Sequence, residues 1–70
     1  MLWGVAEDQR VQQRLRQLLG GGQSLEEALR IIHREDGVGI LLLCHPVEVV
    51  TGLSPLDVKR LLVRLFSQLL

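Results

Sequence analysis

The chain has 70 residues, 47% of them hydrophobic, with one Trp, one Phe, no Tyr and a single Cys, and its eight basic side chains balance eight acidic ones. One Cys excludes an internal disulfide framework and a four-cysteine zinc site. Zero net charge argues against a general nucleic-acid binder held by phosphate neutralisation. Seventy residues make one domain, near the lower size limit for a self-sufficient core. The apolar material is mostly Leu, Val and Ile, and the mean hydropathy is +0.26. A small body does not hide that much aliphatic surface alone, so part of it is expected to meet another chain. A reducing cytoplasm is the expected location. Met1-Leu2-Trp3-Gly4 has neither the basic region nor the long apolar run of a signal peptide. The apolar run at 38–44 is far too short to span a membrane.

Residues 6–19 read as a first helix, because Val11, Leu15, Leu18 and Leu19 fall on one face at helical spacing. Gly20, Gly21 and Gly22 stop it and offer a left-handed cap. They are the one credible linker, at which the first helix is expected to hinge.

Ser24 and Glu27 have the spacing of a capping box and open a second helix that runs to about Arg34. Leu25, Ala28, Leu29 and Ile32 face inward. Glu26 and Glu27 sit at its positive end, and His33 and Arg34 at its negative end, as the helix dipole prefers.

The third segment, 40–50, is apolar nearly all round, with His45 and Glu48 as its polar positions. A helix of that kind is central or covered by a second subunit. Ile40, Leu41, Leu42, Leu43 and Val47 are accordingly expected in the core or in a dimer contact. Pro46 predicts a kink or break between Leu42 and His45. The competing reading is a short buried strand at 39–44, which would need a second chain to pair with.

The sharpest local signal is Thr51-Gly52-Leu53-Ser54-Pro55. Ser54 is a good N-cap, Pro55 suits the first helical position, and Asp57 stands where a capping box wants an acid. Leu53 and Val58 are placed as a hydrophobic staple. The fourth helix, 55–69, carries Val58, Leu61, Leu62, Leu65, Phe66 and Leu69 on one broad face. Leu56, Val63 and Leu70 form a second apolar line at seven-residue spacing among Lys59, Arg60 and Arg64. A monomer does not need that line, so these six residues are the candidate partner-binding stripe.

Residues 24–62 resemble a small helical module of translation proteins. Thr51-Gly52-Leu53, Asp57-Val58-Lys59 and Leu61-Leu62 look like the helical hairpin of the bacterial ribosomal stalk protein's C-terminal domain. The same corner is similar to the ubiquitin-associated-like domain of elongation factor Ts. The first resemblance implies that Lys59 contacts translation factors. It departs from that pattern at Leu42, Leu43, Pro46 and Val49, which replace charged positions, and at Pro55. Residues 47–62 also resemble a DNA-reading helix-turn-helix. That likeness would turn Leu56, Asp57, Lys59, Arg60 and Arg64 toward the groove or the phosphates.

No catalytic constellation is legible. His33, His45 and Cys44 are the only soft metal ligands, and Cys44 and His45 are adjacent, so they diverge on a helix. The glycine run lacks the lysine and preceding strand of a phosphate loop. The sequence therefore predicts an all-α domain of three or four short helices in a small orthogonal bundle, homo-oligomeric and without cofactor or metal. Its expected function is non-catalytic protein interaction or dimerisation, with a second copy of the chain as the first partner. The alternative is a dimeric helix-turn-helix bound to DNA. Neither a membrane nor a small-molecule substrate is expected.

Overall fold

A computed structural model describes residues 5–67, and among them every regular element is helical. The order is α1 (Val5–Gly20), α2 (Leu25–Glu35), a short 3-10 helix (Ile40–Leu43), α3 (Cys44–Thr51) and α4 (Pro55–Leu65). The radius of gyration is 11.2 Å, against about 11 Å for a well-folded chain of this length. The expected all-α class is what the chain adopts. The strand reading of 39–44 is replaced by the 3-10 helix.

The joints explain themselves residue by residue. After α1, Gln23 N–H donates to the Leu18 carbonyl at 3.1 Å and Gly22 N–H donates to that of Leu19 at 3.2 Å. This bond pair, with Gly22 at φ 98°, is a Schellman cap. Only Gly22 among the three glycines needs the left-handed conformation. Ser24 then caps α2, its Oγ accepting from Glu27 N–H at 3.2 Å.

Pro46 breaks the third segment in the predicted place. The 3-10 helix ends at Leu43 and α3 begins at Cys44. Pro46 therefore occupies the first turn of α3, the part of a helix that tolerates proline. Its ring is fully buried.

Between α3 and α4 the corner is tied by one hydroxyl. Thr51 Oγ1 donates to the Val47 carbonyl at 2.6 Å and accepts from Leu53 N–H at 3.2 Å. Gly52, at φ 77°, ends α3 by donating its N–H to Glu48 at 2.9 Å. Ser54 Oγ accepts from Asp57 N–H at 3.2 Å, and Pro55 opens α4.

The core draws on every element: Val11 and Leu15 of α1, Ala28, Leu29 and Ile32 of α2, Leu43 and Val47 of the third segment, and Val58, Leu62 and Phe66 at the C-terminal end. Val38, in the loop after α2, completes it. No buried side-chain nitrogen or oxygen among the described residues lacks a hydrogen bond. The third segment is only half enclosed, however. Leu43 and Val47 are sealed and Ile40 is partly buried, whereas Leu41 is 84% exposed and Leu42 also reaches solvent. The other helices supply neighbours for one side of the segment, so Leu43 and Val47 are core while Leu41 and Leu42 lie outside it.

Two histidines act as clamps. His33 Nδ1 lies 2.8 Å from the Val38 carbonyl and donates to it when protonated there. The same ring meets Phe66 edge-on, with centroids 5.0 Å apart, a favoured aromatic geometry. His45 Nδ1 lies 2.8 Å from Asp8 Oδ2, which also accepts from Gln12 Nε2 at 2.6 Å. That link joins α3 to α1.

Candidate functional site

On α4 the sequence separates two faces, and the structure keeps them separate. Val58, Leu62 and Phe66 are buried, with Leu61 and Leu65 partly so. Leu56 and Val63 remain 57% and 51% exposed on the other side. They are seven residues apart, with Lys59 and Arg60 between them, so the set follows the three- and four-residue steps of one helix face. Leu56, Lys59, Arg60, Val63 and Arg64 line a shallow trough of about 350 Å³. Its wall is almost wholly aliphatic, because the stems of the three cations lie along it and their heads reach into water. Five of the six expected partner-binding residues thus come together. The sixth, Leu70, lies outside the described residues.

Outside the trough three arginines are paired, while Arg10 and Arg16 of α1 make no ion pair among the described residues. Arg14 is paired with Glu35 and Asp36, at 3.7 and 3.3 Å. Arg30 is paired with Glu27 at 3.6 Å, and Arg34 with Glu35 at 3.7 Å. Arg64 reaches Glu26 of α2 at 3.4 Å. Lys59 and Arg60 make no ion pair among the described residues.

Two larger depressions are less promising for a partner. One, of about 620 Å³ beside α1, is crossed by the Arg14 pairs. Another, of about 590 Å³, is lined by Arg30, Arg34 and Arg64, and each of these already holds a glutamate. In the second, a ligand would have to displace an existing contact; the first also presents Arg10, which makes no ion pair among the described residues.

A second apolar patch lies at the start of the third segment. Val5, Leu41 and Leu42 are exposed and share a depression with Asp8, Cys44, His45 and Glu48. Here Asp8 is answered by His45. Of the five residues expected in a core or dimer contact, Leu43 and Val47 are internal, Ile40 is packed against the core, and Leu41 and Leu42 are on this surface. Partial burial pushes the Cys44 thiol above its ordinary pKa; the Glu48 carboxylate adds to the rise and Lys59 opposes it. The thiol is therefore protonated and poorly nucleophilic at neutral pH.

Among the described residues no group of three or more His, Cys, Asp or Glu side chains is placed to hold a metal ion. No helix among them is long and apolar enough to cross a membrane. The sequence alone does not signal the His33 and His45 contacts or the two hydrogen bonds of the Thr51 hydroxyl. The histidine partners lie five and 37 residues away, and nothing in local periodicity signals them. Compared with known proteins, the chain matches no family model, no curated protein and no solved structure.

Proposed function

We propose that the chain is a small non-catalytic protein-interaction module that docks another protein through the outer face of α4. The observation that carries this reading is the Leu56–Val63 line. Both side chains stand in water although the core beneath them is sealed without them. Burying an exposed leucine or valine side chain fully is worth about 1.5–3 kcal/mol, and Leu56 and Val63, 57% and 51% exposed, still have roughly half of that to gain on docking. The resemblance to the ribosomal stalk domain, which gives Lys59 a contact role, points to the same face.

Self-association belongs to the other patch. Val5, Leu41 and Leu42 form an apolar surface with no uncompensated cation beside them. Three side chains fall short of the roughly 800 Å² per partner of a standard interface, so a dimer built there is weak and concentration-dependent. Sedimentation at micromolar to millimolar concentration tests the division. Leu41→Glu is expected to abolish self-association, and Val63→Glu to leave it intact. A wild-type chain that stays monomeric throughout removes the dimer; the reverse pattern of variants moves it to α4. DNA is the rival ligand for the α4 face. Duplex binding that collapses steeply with added salt would replace the protein-docking reading.

A further inference from the structure

We infer that the α4 trough takes an acidic amphipathic α-helix of a partner protein, laid along the groove with its apolar residues on Leu56 and Val63 and its carboxylates toward Lys59 and Arg60. This rests on the docking reading above and specifies the partner's chemistry.

Spacing selects a helix. Leu56 and Val63 are separated by seven residues of α4, or about 10.5 Å along its axis. A helix laid alongside repeats its own apolar side chains at the same two-turn interval. An extended strand presents one face every ~6.8 Å, so it matches one anchor and misses the other.

Charge selects acids. Lys59 and Arg60 are the trough's uncommitted cations, while Arg64 is already engaged by Glu26. A second copy of α4 facing the first across a two-fold axis would oppose these cations to their own kind. A self-paired interface repeats each residue on both sides, and like charges in contact exclude wrong partners. The trough is therefore built against self-pairing and for a partner of opposite sign.

Three acetylated, amidated peptides of about 14 residues, long enough for measurable helix, supply the test. All three carry leucines at helical spacing; their flanking positions are Glu, Gln or Lys. Each is titrated into the full chain, with amide chemical shifts as the readout. The Glu peptide is expected to shift Leu56, Lys59, Arg60 and Val63 and to bind about tenfold more tightly than the Lys peptide at low salt, the sum of two exposed ion pairs. Added salt narrows that gap. The double variant K59E/R60E, checked for intact helicity, is expected to reverse the order. If all three peptides bind α4 equally, the charge inference fails and the docking face stands. If the Glu peptide shifts no α4 residue, or acts only at Leu41 to His45, both fall. Self-association through α4 without peptide overturns the inference as well.

Discussion

Helices α2 and α4 are built to one plan and finished differently. Each has 11 residues, a serine cap bonded to the third helical N–H, acid in the first turn and base in the last. Each buries an aliphatic stripe in the same core. They are even joined across their surfaces by Arg64 and Glu26. Outside, α2 shows Glu26, Arg30 and Arg34 to solvent, whereas α4 shows Leu56 and Val63. Folding imposed the inner faces on both. It imposed nothing on the outer ones, so the aliphatic finish of α4 reports something other than folding.

The comparison is broken most violently from within. Leu29→Ala on α2 and Leu62→Ala on α4 each remove a side chain from the sealed core and are expected to cost about 3 kcal/mol. A core of this size supplies only about 3–5 kcal/mol in total. Both variants are then left with about 0–2 kcal/mol, so their urea midpoints should fall steeply while at least about half of each chain stays helical at room temperature. An unchanged urea midpoint in either would show that its leucine is not part of the stabilising core.

The caps come next. Ser24→Ala and Ser54→Ala each orphan one N–H and are expected to cost about 1 kcal/mol in urea denaturation. Near-equal losses support the common plan; a large loss in one alone would show that the other helix is held by packing.

The smallest effect on stability is the most telling for function. Replacing Leu56 and Val63 together by Gln is expected to change unfolding free energy by less than about 0.5 kcal/mol, while removing peptide binding at α4. A stability loss comparable to that of Leu62→Ala would make the outer line part of the fold after all.

Most of the fold was legible because its causes are local. The three- and four-residue spacing of Ala28, Leu29 and Ile32, and of Val58, Leu61, Leu62 and Leu65, names the buried faces. The caps at Ser24 and Ser54 and the stop at Gly22 are properties of a few consecutive residues. Pro46 located the break for the same reason. The exposed stripe of α4 was legible as the residues left over once the core face was drawn. What was not legible depends on the number of neighbours a small bundle provides. Leu41 and Leu43 are the same residue type two positions apart, and only the assembled chain decides which is sealed. The contacts of His33 with Val38 and of His45 with Asp8 have the same character.

The position of Pro46 has one more consequence. A proline in the first turn of α3 forbids that helix from growing backward, because its ring would collide with the carbonyl of Leu42. The tight coil at 40–43 is thus shielded from being absorbed into one longer rod. Were the two to merge, the winding would relax from three residues per turn toward 3.6, and Leu41 and Leu43 would rotate relative to each other. One imino ring therefore holds the boundary at Leu43–Cys44 in place, and the packing of the assembled chain does the rest.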